Sequence, residues 1–107
     1  MTLMQISLKD FGLNNPYIRA FVPIQDNTYI FIIQWSFYCD CAFLSITDYN
    51  DTPIVSGKAL VNGLKIRNHD LPYTFYFLQK NGETYEPTLD VISSEFVLFY
   101  DDEEVTQ

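Results

Sequence analysis

Thr28-Tyr29-Ile30-Phe31-Ile32-Ile33-Gln34-Trp35-Ser36 decides the fold. The residues alternate at the two-residue period of a strand, which sends successive side chains to opposite faces. Tyr29, Phe31, Ile33 and Trp35 share one face, and Ile30 and Ile32 point the other way, with Gln34 and Ser36 after them. β-branched and aromatic residues pack well on a pleated surface and favour this conformation. A strand that is apolar on both faces is buried on both sides, or holds one face against a partner chain.

Outward from this strand the chain repeats the same grammar. Cys41–Thr47 is its antiparallel return, with Ala42, Leu44 and Ile46 on one face and Phe37-Tyr38-Cys39-Asp40 as the connecting turn. Upstream, Tyr17–Ile24 places Ile18, Ala20, Val22 and Ile24 opposite Tyr17, Arg19 and Phe21. Pro23 has no N–H to donate, so this strand is expected to be short or at a sheet edge. Leu3–Leu8 reads as a short first strand or an extended arm. Asp48-Tyr49-Asn50-Asp51 is a polar turn, where Asp caps backbone groups. Pro53–Val61 is a further strand, and Gly57 inside it suggests a bulge or a close backbone approach.

Asn62-Gly63 reads as a hairpin turn, because both residues tolerate positive φ. Leu64–Arg67 continues the chain. Tyr73–Gln79 is an aromatic strand, and Lys80-Asn81-Gly82 supplies a second hairpin signal after it. Pro87-Thr88-Leu89-Asp90 reads as an irregular loop or one helical turn. Glu95–Tyr100 is the last strand. About seven strands with turn signals every ten residues or so, and no sustained helical period, predict an all-β fold. It is a small antiparallel β-barrel or β-sandwich. One β domain over residues 1–100 and an acidic tail over 101–107 are expected, the tail containing Asp101-Asp102-Glu103-Glu104.

The chain has 107 residues, of which 48% are hydrophobic and 17% aromatic, so it can bury a core without metals or disulfides. The net charge of −8 repels phosphates, so no nucleic-acid partner is expected, and a basic protein partner or simple solubility fits better. No run reaches the 18 or so apolar residues of a membrane span, and the start lacks the features of a secretion signal. No membrane partner is expected, and synthesis is expected in the cytoplasm.

A search for chemistry returns nothing. Cys39 and Cys41, two apart on an extended strand, are too splayed for an easy disulfide and read as free thiols. With His69 as the single histidine they cannot complete an ordinary zinc site. His69-Asp70 lacks an identifiable third member of a triad. Gly12, Gly57, Gly63 and Gly82 are isolated, so no phosphate-cradling glycine loop exists. The expectation is a protein with no catalytic residues, no metal and no cofactor.

The aromatic residues point elsewhere. Tyr17, Tyr29, Phe31, Trp35, Phe37, Tyr38, Phe43 and Tyr49 exceed the needs of one small core, and Tyr and Trp are enriched in interfaces; the other reading is that they fill a thin β core. Tyr29, Phe31, Ile33 and Trp35, with Gly57 and Leu60, are therefore the expected protein-interface residues.

Thr52-Pro53-Ile54-Val55-Ser56-Gly57-Lys58-Ala59-Leu60-Val61-Asn62-Gly63 resembles the TPLVxGxxLVxGxxLL segment of the cyanophage-type baseplate plug proteins of contractile-tailed phages. The C-terminal segments keep a similar order: Tyr73–Leu78, Asn81-Gly82-Glu83, Glu86-Pro87-Thr88-Leu89-Asp90 and Val97-Leu98-Phe99-Tyr100. Glu86 stands where the family often has Asp, and the loop Arg67–Leu71 lacks the usual glycines. The resemblance, over residues 17–101 or so, implies a structural plug in the central hub of the virion's tail baseplate. Hub, spike and tape-measure proteins would be its partners, in several copies around the tail axis. An alternative reading of the charge is an acidic DNA mimic that inhibits a host nuclease, although four of the acids crowd into the last seven residues. A third is a barrel whose aromatics line a small-ligand cavity.

Overall fold

Alternation of apolar and polar residues gives each strand one face to hide, and two such sheets hide their faces against each other. The computed structural model describes residues 3–101 and shows this arrangement. The strands are β1 (Leu3–Ile6), β2 (Tyr17–Ile24), β3 (Asn27–Ser36), β4 (Cys41–Thr47), β5 (Pro53–Ala59), β6 (Leu64–Ile66), β7 (Phe75–Gln79) and β8 (Phe96–Asp101), with one helical turn, α1 (Ile92–Glu95), before β8. One antiparallel sheet has the order β2-β3-β4-β5 and the other β1-β8-β7-β6. The fold is a sandwich, and the barrel alternative is set aside because neither sheet closes.

Pro23 lies on β2, an edge strand as expected, where its missing N–H breaks no ladder. In β3, Tyr29, Phe31, Ile33 and Trp35 all face the second sheet and are 1–8% exposed. On β4, Ala42, Leu44 and Ile46 are fully buried beside them. From the other sheet come Phe75, Phe77, Leu98 and Tyr100. Phe31 and Phe75 meet across the sandwich with ring centroids 5.5 Å apart, and Phe75 in turn meets Tyr100 at 5.2 Å. These side chains form the core between the two sheets.

Two local expectations change. Asn62-Gly63 is not a hairpin: β5 and β6 belong to different sheets, and the pair carries the chain across the sandwich, with Gly63 at φ 86°. This separation makes eight strands of the expected seven or so. Lys80-Asn81-Gly82 does turn, with Gly82 at φ 78°, but Phe96 is the residue that pairs with Gln79, so the connection runs through the whole 80–95 segment. Pro87–Asp90 is an irregular loop, one of the two forms expected, and a helical turn follows it at Ile92–Glu95. Asp102, Glu103 and Glu104 of the expected acidic tail lie outside the described residues, while Asp101 ends β8.

The bulge expected at Gly57 is present. The β4–β5 register shifts between Leu44 and Ile46, and the Gly57 amide donates to Ser45 Oγ at 3.0 Å. Gly57 has φ 60°, and nothing lies within 4 Å of the position a Cβ would take. The cost of a side chain here is therefore backbone strain alone, about 1–2 kcal/mol. Gly57→Ala is expected to lower the unfolding free energy by that much, read as a lower urea midpoint with the slope unchanged.

Candidate functional site

Two hairpins set the ends of the β2-β3-β4-β5 sheet. β3 starts at one end beside the β2–β3 turn and finishes at the other, where residues 37–40 join it to β4. At this second end Phe37 and Tyr38 are 69% and 98% exposed. The Cys39 amide donates to Ser36 Oγ at 3.1 Å, and Asp40 closes the turn with φ 52°. Two aromatic rings are thus carried at the tip of a hairpin held firmly at its base. Cys39 and Cys41, both free thiols, flank Asp40, and burial together with Cys39 and Asp40 pushes the Cys41 thiol up.

The outer face of the same sheet is also apolar. Register places Phe21 beside Ile30 and Ile30 beside Thr47. Ile30 is only 2% exposed although it points away from the second sheet, so β3 is buried on both faces at this position. Phe21 and Tyr49 on this side remain 56% and 67% exposed, and Tyr17, further along β2 opposite Gln34, is 47% exposed. The Phe21 and Tyr49 rings are 6.3 Å apart, and the Arg19 guanidinium lies 5.1 Å from the Phe21 centroid while pairing with Asp51 at 3.6 Å. Exposed pairs of this kind add little stability, so the patch is surface rather than core.

The six residues expected at an interface divide unevenly. Tyr29, Phe31, Ile33, Trp35 and Leu60 are buried inside the protomer. The exposed aromatic face expected of Thr28–Ser36 is therefore corrected: that face is covered by the second sheet of the same chain. Gly57 is on the surface. The exposed aromatics among the described residues are instead Tyr17, Phe21, Phe37, Tyr38, Tyr49 and Tyr85. Of these, Tyr17, Phe37, Tyr38 and Tyr49 belong to the aromatic excess of the sequence, but alternation alone does not say which of them stay outside.

At the first end of the sheet, the β2–β3 turn, the β4–β5 turn and the β6–β7 loop surround a cleft of about 720 Å³. Gln25, at φ 57°, opens the two-residue β2–β3 turn. Its Nε2 donates to Tyr73 Oη at 3.1 Å, and Asn68 Nδ2 donates to the Ile54 carbonyl at 3.0 Å, so the loops from the two sheets are tied together. Asp48 caps the β4–β5 turn as expected, its Oδ1 accepting from the Asn50 and Thr52 amides at 2.8 and 2.9 Å. His69 Nε2 is 3.5 Å from Asp70 Oδ1, and both side chains are largely in solvent. The third member a triad needs beside that pair is a serine or cysteine, and the cleft lining contains neither.

The opposite end carries a polar knot around the loop between β7 and α1. Asn62 Nδ2 donates to the carbonyls of Glu83 and Tyr85 at 2.8 and 3.0 Å, and Asn62 Oδ1 accepts from the Gln79 amide at 3.1 Å. Gln79 Oε1 accepts from the Asn81 and Glu83 amides at 2.6 and 2.9 Å. Tyr85 donates to Glu95, and this bond, with burial second, raises the tyrosine's pKa. These groups are occupied with one another, which marks the knot as structural.

Among the described residues no three acidic, histidine or cysteine groups converge to hold a metal ion, and no helix is long and apolar enough to cross a membrane. A family profile described as "Cyanophage baseplate Pam3 plug gp18" matches residues 5–103. No curated protein sequence matches the chain.

Proposed function

Because the chain belongs to the cyanophage baseplate plug family, we propose that it is a structural, non-enzymatic component of a contractile phage tail. It sits as a plug in the central baseplate hub, contacts hub, spike and tape-measure proteins, and is present in several copies. The observation that carries this reading is the family match over nearly the whole chain. Location in the virion's tail baseplate follows from the same membership.

The surface supports a docking role. Phe37 and Tyr38 project from a braced hairpin, and exposed aromatics of this kind are the residues that anchor interfaces. Tyr17, Phe21 and Tyr49 extend the apolar area along the outer face of the sheet, and the exposed bulge at Gly57 lies on its edge strand, β5. The buried Phe31, Ile33 and Trp35 contribute the rigidity that holds this face in shape.

Co-expression with the neighbouring hub, spike and tape-measure proteins tests the reading. The chain is expected to co-elute with at least one of them in size-exclusion chromatography at low and moderate salt. The double variant Phe37→Ser, Tyr38→Ser is expected to lose co-elution while its stability stays within about 0.5 kcal/mol of the parent, as for other exposed positions. Separate elution of the unaltered chain at both salt concentrations would overturn the proposal.

A further inference from the structure

The sheets end in β2 and β5 on one side of the sandwich and in β1 and β6 on the other. An edge strand offers a row of unpaired backbone groups to any other chain, and proteins blunt such edges with short strands, bulges or lysines. Three of these edges are blunted. β1 has four residues, and β6 has three with Lys65 at its centre. β5 is bent by the bulge at Gly57 and carries Lys58 next to it. β2 is different. It runs for eight residues, pairs with β3 without a register shift, and carries Arg19 as its single charge. Pro23 guards only its far end.

Register shows which backbone groups of β2 are left over. The Trp35 amide donates to the Pro16 carbonyl at 2.9 Å, and antiparallel neighbours alternate between bonded and non-bonded pairs. Ile18, Ala20, Val22 and Ile24 therefore exchange backbone bonds with β3, the last of them closing the two-residue turn. The amides and carbonyls of Tyr17, Arg19 and Phe21, with the Pro23 carbonyl, point out of the sheet. None of them has a hydrogen-bond partner among the described residues. A groove of about 600 Å³ lies beside this edge, lined by Tyr17 to Ala20 together with Ser7, Asp10 and Asn15.

The partner these groups fit is another extended strand, because a strand backbone repeats N–H and C=O at the same spacing. A second copy of β2 meets that need. Laid antiparallel about a two-fold axis at Ala20, it sets Arg19 against Phe21, Ile18 against Val22 and Tyr17 against Pro23. Arg19 and Phe21 then exchange both backbone bonds, and Tyr17 donates to the Pro23 carbonyl. Pro23 has no N–H to return, so the ladder ends there. The side chains agree with the backbone. Ile18 and Val22, partly buried against the core, meet across the pair, and the Arg19 guanidinium, 5.1 Å from its own Phe21 centroid, gains a second ring. Sliding the copy to set Arg19 against Arg19 would place like charges opposite each other. Most of a chain of charge −8 repels its copy, but this groove carries one acid and one base, Asp10 and Arg19.

We propose that two copies of this chain pair through β2, with Ala20 opposite Ala20 at the two-fold axis, so that the β2-β3-β4-β5 sheets of both join into one. The pairing does not rest on the baseplate reading; it names the surface by which copies meet.

The full-length chain is followed by sedimentation equilibrium over a dilution series. Its mass is expected to rise from 12.5 kDa towards twice that value as concentration increases. Hydrogen exchange of the Arg19 and Phe21 amides is expected to slow over the same range, while that of Ala20, already bonded to β3, changes little. Phe21→Pro removes an outward N–H and leaves the β2–β3 ladder intact; by symmetry two bonds are lost, and dimerisation is expected to weaken by about tenfold or more. In a Cys39→Ser, Cys41→Ser background, Ala20→Cys is expected to cross-link two copies on treatment with glutathione disulfide, and Val22→Cys, which faces Ile18 of the other copy, is not. The proposal fails if the chain stays monomeric throughout, if folded Phe21→Pro dimerises as well as the parent, or if Val22→Cys cross-links as readily as Ala20→Cys. Protection of the Arg19 and Phe21 amides only when a hub, spike or tape-measure protein is added would give the edge to another chain and overturn it too. Co-elution by a chain that never dimerises leaves the baseplate reading standing without this pairing. Dimerisation with co-elution absent does the reverse.

Discussion

Phe75→Ala is expected to lower the free energy of unfolding by about 3–5 kcal/mol, the usual cost of truncating a fully buried phenylalanine. Phe75 has no exposed surface and sits where three elements meet: its ring contacts Phe31 of the facing sheet at 5.5 Å and Tyr100 of β8 at 5.2 Å, and register sets it beside Ile66 of β6. Truncation removes apolar area and leaves a cavity that rigid neighbours on two sheets cannot close. Since domains of this size are stable by only about 5–15 kcal/mol, the variant stands near the limit of folding. Equilibrium urea unfolding monitored by Trp35 fluorescence measures it. A loss below about 1 kcal/mol would mean that the two sheets do not pack through this ring. Phe75→Leu, which keeps most of the volume, should recover more than half of the loss.

Asn62→Ala carries the second large effect, about 2 kcal/mol, from three side-chain hydrogen bonds each worth about 0.5–1.5 kcal/mol, discounted because the site is partly in solvent. Removal leaves the Gln79 amide and the carbonyls of Glu83 and Tyr85 without this partner. The effect is expected to be local as well as global. The segment between β7 and α1 loses its tie to the β5–β6 crossover, so trypsin should cut after Lys80 several-fold faster in the variant than in the parent. Equal cleavage rates would show that the Gln79, Tyr85 and Glu95 bonds hold the segment without Asn62. Asn62→Asp is the sharper comparison, because it keeps the acceptor and sets a carboxylate against two carbonyls.

Much of the fold was legible because strand grammar is local. The two faces of β2, the edge position announced by Pro23, the inward row of Ala42, Leu44 and Ile46, and the bulge at Gly57 all come from alternation and backbone sterics within a few residues. Asp48 could be read as a turn cap for the same reason: its partners are the next few amides of its own turn. The exposed surface was less legible. Phe37 and Tyr38 stand in the predicted turn, and their composition does not distinguish a hairpin tip in solvent from a turn folded back on the core.

The cleft was not legible at all. Asp26, Asp48 and Asp70 are far apart in sequence and each looks like an ordinary turn acid; the closure of the two sheets brings them to one end, beside Tyr29. Asn62-Gly63 shows the same divide. Its positive-φ geometry was readable, but a hairpin and a crossover make identical local demands, and the pairing partners offered by β7 decided between them.

Thr28–Ser36 therefore determined by itself that the chain is β-structured and that one row holds Tyr29, Phe31, Ile33 and Trp35, since a two-residue period needs no other part of the molecule. Whether that row would face a partner or the chain's own second sheet was decided only by the tertiary structure. Alternation sorts side chains into two faces, whereas burial depends on which distant strand arrives to cover one of them. Here β7 and β8 cover it, sending four expected interface residues into the core and leaving Tyr29 on the lining of the cleft.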